Sequence, residues 1–446
     1  MPHLIIVLLG AYAILDSMSL GLGQEQRAYY VVLFLLTALA YVLTPQVNSY
    51  RHLSSGVVRC WIAATIFGCV MVLFQEHRYG IYIVGDAITF SLPILFVALA
   101  DRMPQIFSDT KSQRWLLCLL LTATCAATVS PYLFEASTTR FQEPALMLMA
   151  LTWVAVACNR DVSLIFPKIV VLLVVVTITL FSGARFALLL WLAMGAALIL
   201  LGHATRATKW TFYTGAATLT LFAAIGVIGG DSLPTLEGFR VGSLIDRLHS
   251  GRVLDSVIED GSMQNRILEA DDALYTRFTH QGWLQWVLGS GHGATFDTGY
   301  AYYGDRALDN GQVHHIHFGL VLLYFRYGVL GVVLFAWLLA SGVRCLIVLR
   351  RANRNNPLFK PTLVFSLASL SYLLSFLLFN QLVDPVASFA MAGHVVTYDL
   401  WKRRAAMTTR GARTPPPIAS RKTRRLRLPS ASRNVTQTQL STRVSA

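Results

Sequence analysis

The stretch His314-His-Ile-His-Phe-Gly-Leu-Val-Leu-Leu-Tyr-Phe-Arg-Tyr-Gly-Val-Leu-Gly331 turns from a histidine cluster into an apolar run that continues to about residue 349. It closes a long polar segment in a chain that is otherwise lipid-soluble. Of the 446 residues 55% are hydrophobic and 13% charged, with a mean hydropathy of +0.54. Soluble proteins carry about 25% charged residues, so a soluble globular protein is excluded. Stretches long enough to cross about 30 Å of hydrocarbon recur from residue 3 to residue 401. They predict an all-α polytopic membrane protein with about 12 transmembrane helices. The first, at 3–21, holds Asp16 and lacks a small-residue cleavage site, so it is expected to be retained as a helix.

Charge orders these helices into a topology. Residues 1–229 are expected to form the first nine spans, 230–314 a large extracytoplasmic loop, 315–401 the last three spans, and 402–446 a cytoplasmic tail. The loop carries 12 of the 23 acidic residues against 6 Arg and no Lys, a net charge of −6. Arg102, Lys111 and Arg114 in one connection, and Arg344, Arg350, Arg351, Arg354 and Lys360 in another, mark the cytoplasmic side. The tail holds 12 basic residues and no acid, and without it the net charge falls from +14 to +2. A nucleic-acid partner is therefore not implied. The tail instead suits a disordered topology anchor lying on anionic headgroups.

Six cysteines lie in or beside apolar segments and the loop has none, so no disulfide framework is implied. Within the loop, Met263, Ile267, Ala270, Leu274 and Phe278 recur at helical spacing and predict an amphipathic helix with Asp271, Asp272 and Arg277 toward water.

Three features place chemistry on the outer face. Phe181-Ser-Gly-Ala-Arg185 joins two spans through a short turn; Ser182 is suited to cap the second and Arg185 stands in its first turn, a ready anion site. The bland alternative is an interfacial Arg that snorkels. Arg266 opens the loop helix, and its bland alternative is a surface pair with Glu269 or Asp271. Downstream, Gly289-Ser-Gly291-His-Gly293 looks like a phosphate loop, but no helix follows it, and it reads as a tight turn. Last come His314, His315 and His317 at the membrane border, suited to acid/base work near neutral pH. A zinc site built from His315 and His317 with Asp309 or His292 is the rival reading, without a familiar ligand spacing.

Together these residues resemble the O-antigen ligase and repeat-unit polymerase superfamily of bacterial envelope glycosyltransferases. Members show a Ser-x-Ser-Arg-like turn opening a helix, then a large extracytoplasmic loop with an Arg ahead of a Gly-x-Gly-x-Gly turn. The loop closes on a His eleven residues before the first glycine of a Gly-x-x-Gly helix. Ser182 to Arg185 is similar to the first element, Arg266 with Gly289, Gly291 and Gly293 to the second, and His317 with Gly328 and Gly331 to the third. The resemblance covers chiefly residues 180–335. It departs at Phe318, where the family commonly has Asn, and His315 is the candidate to orient His317 instead.

The resemblance implies the C-type glycosyltransferase fold and a metal-independent activity with no cofactor. A glycan is taken from an undecaprenyl pyrophosphate carrier on the outer face of the bacterial inner membrane and moved to an acceptor hydroxyl. Arg185 and Arg266 would neutralise the pyrophosphate through their forked guanidinium groups, and His317 would accept the hydroxyl proton. Asp16, Asp86 and Arg326 are candidates to line the lipid groove, although nine residues of continuous helix would turn Arg326 away from His317 unless the helix breaks near Gly328. The extra His and Tyr324-Phe-Arg-Tyr327 favour a polymerase of carrier-linked oligosaccharide repeats, making exopolysaccharide or O-antigen beside chain-length regulator and flippase proteins. A ligase to lipid A core stands as the alternative. A lipid-linked glycan transporter is the reading from a different class, opposed by the lack of visible repeat symmetry and by the size of the loop.

The topology carries its own test. Reporters active on one side of the membrane, fused near residue 255 and after residue 446, are expected to give opposite signals, with residue 255 outside; equal signals would overturn the scheme.

Overall fold

The computed structural model describes residues 55–76, 78–100, 110–133, 185–206, 261–280, 282–297, 312–314, 316–378 and 385–413. It also describes shorter pieces within 9–39, 148–173 and 208–217. The described residues are mostly helical, and four helices among them are long and apolar enough to cross a membrane. Residues 1–402 form one compact unit and 403–446 another.

In chain order the longer helices are α1 (Gly56–Met71), α2 (Gly80–Ala100), α3 (Thr110–Leu133) and α4 (Arg185–Leu200). They are followed by α5 (Gly261–His280), α6 (Trp283–Leu288), α7 (Gly319–Arg350), α8 (Phe359–Leu378) and α9 (Pro385–Arg413). Ser55 caps α1, its side chain accepting from the Val58 N–H at 3.4 Å, which satisfies one of the donors a helix start leaves over. Between α6 and α7, β1 (Phe296–Asp297) pairs antiparallel with β2 (Gln312–Val313), Phe296 opposite Val313.

The central element is α7, which packs against α1, α5, α6 and α8. Its 32 residues correspond to about 48 Å at 1.5 Å per residue, well beyond the hydrocarbon thickness of about 30 Å. Gly328 interrupts it, at φ 58° and ψ −147°. The stretch from Gly328 to Arg350 alone reaches about 33 Å, enough to span. Along it Val329, Val332, Val333 and Trp337 are exposed while Leu334, Phe335 and Leu338 are buried, a division at helical period into lipid-facing and protein-facing stripes.

Hydroxyls glue the buried helices without breaking them. On α8, Thr362 and Ser375 donate to carbonyls of their own helix, and Ser366 meets the His394 ring of α9 at 2.9 Å. The other ring nitrogen of His394 meets Ser341 of α7 at 3.1 Å. Hydroxyl contacts of this kind let apolar helices approach closely.

The loop helix α5 exists where the periodicity predicts one, but with its faces exchanged. Glu269, Ala270, Asp272, Ala273 and Thr276 are buried, whereas Ile267, Tyr275 and Phe278 are about half exposed or more. Asp271 is exposed, as expected, and Asp272 is not. The small Ala270 and Ala273 allow that face to approach its neighbours, and Glu269 on it meets His317. Phe278 then stacks edge-on to Trp286 of α6, with ring centroids 5.0 Å apart.

Gly328 can be tested against a neutral glycine. A Cβ at Gly328 would collide with the Val287 carbonyl, and its φ lies where side-chain-bearing residues are strained, whereas nothing approaches a Cβ at Gly85. Gly328→Ala is expected to cost about 1–3 kcal/mol from backbone strain alone and to lower the thermal midpoint in detergent. Gly85→Ala should leave it level or raise it, since Ala is favoured over Gly in a helix by about 1 kcal/mol.

Candidate functional site

The site is assembled from the glycine turn, the histidine segment and three helices. Gly289, Gly291 and Gly293 all have positive φ, so the segment is a tight turn, and nearly every N–H in it is committed. Ser290 donates to the Phe325 carbonyl at 2.8 Å and Gly291 to that of Arg326 at 2.9 Å. His292 donates to the Gly68 carbonyl at 3.1 Å and Gly293 to Asp86 Oδ2 at 2.7 Å. The Gln75 amide donates to the carbonyls of Ser290 and His292 at 2.8 and 2.7 Å. The turn therefore lies against α1, α2 and the broken stretch of α7. Only glycine fits there: a Cβ at Gly289 would strike the Arg326 carbonyl.

Asp86 and Arg326 face each other at the back of this turn, both buried. Arg326 Nη1 donates to Asp86 Oδ1 at 2.8 Å, and Nη2 donates to the His314 carbonyl at 2.9 Å and lies 3.1 Å from both ring nitrogens of His314. His314, a member of the histidine cluster that the spacing to Gly328 passes over, also packs tilted against Tyr82 with centroids 4.1 Å apart. A buried ion pair is tolerable when further hydrogen bonds satisfy both partners, and here the Gly293 N–H completes the carboxylate. Asp86 and Arg326 thus meet each other and fasten α2, the turn and α7 together.

His292 is fully buried. Its Nε2 lies 3.2 Å from the Thr65 carbonyl, which can only accept, so Nε2 carries the proton and Nδ1 accepts from the Tyr327 hydroxyl at 3.1 Å. Burial holds its pKa down to about 4, and the nearby Arg326 charge adds to the effect. With both nitrogens engaged, His292 is occupied as a packing residue. Among the described residues no three His, Cys, Asp or Glu side chains converge as a metal site.

His317 stands differently. It lies one residue before the Phe318 N-cap of α7, which supplies no side-chain cap, and its side chain is 26% exposed. Glu269 of α5, whose side chain is 1% exposed, grips it twice. Oε1 accepts from the His317 backbone N–H at 2.7 Å, and Oε2 meets Nδ1 at 2.5 Å. The β1–β2 clip delivers the segment to this point: Gln312 bonds Thr295 and, at 3.1 Å, Asp297, and Phe296 packs edge-on to Phe325.

Arg266 is half-buried on the same helix as Glu269 and three residues ahead of it. That spacing brings Cβ atoms to about 5–6 Å, so Arg266 and the His317 holder share one face. Arg185 opens α4, and its side chain, Ser182, His315 and Asp16 lie outside the described residues. The structure joins Glu269 to His317, with Arg266 one turn along α5 from Glu269, and separately groups Asp86, Arg326 and His314. Glu269 is the residue that sequence reasoning missed, having considered it only as a surface partner for Arg266.

The Asp86–Arg326 pair predicts a specific pattern of stability. Asp86→Asn or Arg326→Met alone leaves one buried charge unpaired and is expected to cost about 3–5 kcal/mol, whereas the double replacement should cost less than the sum of the two. Thermal unfolding of the four proteins in detergent measures this, and additive losses would show that the pair is not coupled.

A scan against protein-family models and a search among curated proteins each find no match to this chain.

Proposed function

We propose that the protein is a glycosyltransferase of the bacterial inner membrane that polymerises undecaprenyl-pyrophosphate-linked oligosaccharide repeats on the outer face. In this reading about 12 helices cross the bilayer, both termini are cytoplasmic, and residues 230–314 form the extracytoplasmic loop. The observation that carries the reading is His317: a partly exposed imidazole gripped by a buried carboxylate, with Arg266 one helical turn from that carboxylate. Transfer from a pyrophosphate to a hydroxyl needs a positioned base and a cation, because one group takes a proton while the other meets growing negative charge.

In the proposed step the acceptor hydroxyl oxygen bonds to the anomeric carbon. The bond from that carbon to the pyrophosphate oxygen breaks, and its electron pair leaves with the carrier pyrophosphate. His317 takes the hydroxyl proton. Arg266 and Arg185 contact the phosphate oxygens. The Asp86–Arg326 pair supports the wall of the site and takes no part in the bond changes.

Deletion of the gene followed by sizing of surface glycan and carrier-linked intermediates tests the reading. His317→Ala is expected to lower polymer output by about 10²- to 10⁴-fold, with single carrier-linked units accumulating. Arg185→Ala and Arg266→Ala should each abolish polymer, and Lys at either position should rescue poorly, because a point charge loses the forked contact. Accumulated full-length polymer on the carrier would identify a ligase instead. Wild-type polymer from a well-expressed His317→Ala protein would overturn the reading.

A further inference from the structure

The two contacts from Glu269 to His317 differ in what they permit. The backbone N–H can only donate, so Oε1 must accept it. Oε2 then faces Nδ1 at 2.5 Å, and as a carboxylate oxygen it too accepts. An imidazole held this way carries its proton on Nδ1 and its lone pair on Nε2. The grip is rigid at both ends. Glu269 sits on the buried face of α5 with the small Ala270 and Ala273, and His317 is fixed by its backbone as well as by its ring.

From this geometry we infer that Glu269 is a positioning residue: it selects the Nδ1–H tautomer of His317, so that Nε2 is the atom that removes the acceptor proton. The inference rests on the acceptor-activating role proposed for His317. During transfer the hydroxyl proton moves to Nε2 and the Nδ1 proton stays in its bond to Glu269, so the imidazolium that forms is offset by the carboxylate. After the carrier pyrophosphate leaves, Nε2 releases the proton to water and the neutral ring returns to the same tautomer. A glutamine in place of Glu269 would preserve size but not chemistry. Its single oxygen would accept from the His317 backbone, its NH2 would donate to Nδ1, and the ring proton would move to Nε2, the wrong nitrogen for a base.

The test uses the full chain, labelled with ¹⁵N-histidine and held in lipid nanodiscs, beside polymer sizing in the complemented deletion strain. The chain has 11 His, and the difference spectrum against His317→Ala assigns the ring. Wild-type His317 is expected to show a protonated Nδ1, and Glu269→Gln a protonated Nε2, with polymer output reduced about 10²-fold or more. Glu269→Asp, which keeps two acceptor oxygens, should retain the wild-type tautomer and recover much of the output. A protonated Nε2 in the wild-type protein would overturn the inference without any variant, which covers the case of a Glu269→Gln protein that fails to fold. Wild-type output from Glu269→Gln while His317→Ala is inactive would overturn it and leave the proposed function standing. An active His317→Ala protein would instead remove the reading on which it rests.

Discussion

A helix that stops being helical where protein buries it leaves backbone carbonyls that no water can reach, and each must find a donor from the protein itself. Gly328 creates that demand in α7, and the turn at Gly289 to Gly293 answers it. The carbonyls of Phe325 and Arg326 accept from Ser290 and Gly291. The two glycine motifs lie far apart in sequence, yet they form one physical device. Gly328 supplies a backbone geometry that other residues resist, and Gly289 supplies the absence of a Cβ where the turn meets the exposed carbonyls. Neither has a reason to be glycine without the other.

Once that joint is closed, the remaining contacts follow from satisfying what it buries. Gly293 places its N–H on Asp86, the Asp86 carboxylate takes Arg326, and Arg326 takes the His314 carbonyl. Each link consumes the hydrogen-bonding capacity of the one before it, as a buried polar network must. The sequence arguments about Arg326 turned on whether the helix breaks near Gly328. It does, but two residues after Arg326, so the guanidinium remains on the regular turn ahead of the break and reaches α2.

The helical character and the apolar helices of membrane-spanning length were legible in composition and period, and spacing drew attention to His317. Charge scarcity and hydropathy carry the first two, because a bilayer imposes a length and a polarity that few other environments demand. His317 was singled out by its distance to Gly328, which the structure explains as the length of helix between the segment's entry and the break. The orientation of α5 was not legible. Its apolar residues and its polar residues Arg266, Glu269, Asp272 and Thr276 both recur at helical spacing, and period alone cannot say which stripe faces inward. Glu269 was missed for that reason: assigning the apolar stripe to the core places Glu269 on the surface, where an acid has only a neighbouring Arg to explain it.

The same physics separates the polar clusters by what each leaves undone. Around Asp86 and Arg326, and around His292, buried groups bond one another inside a closed arrangement, with Arg326 Nε and the Gln75 amide oxygen left without a partner, and such networks hold elements in place. The ring of His317 is held as firmly through Nδ1, and about a quarter of its side chain stays exposed. A group that is to exchange a proton with a substrate must combine a fixed orientation with an accessible edge. Among the histidines whose contacts are described, His292 and His394 have orientation without access, and His314 lies under Arg326 and Tyr82. His317 combines a fixed ring with partial exposure, its carboxylate partner coming from the loop helix α5 and meeting the ring at Nδ1.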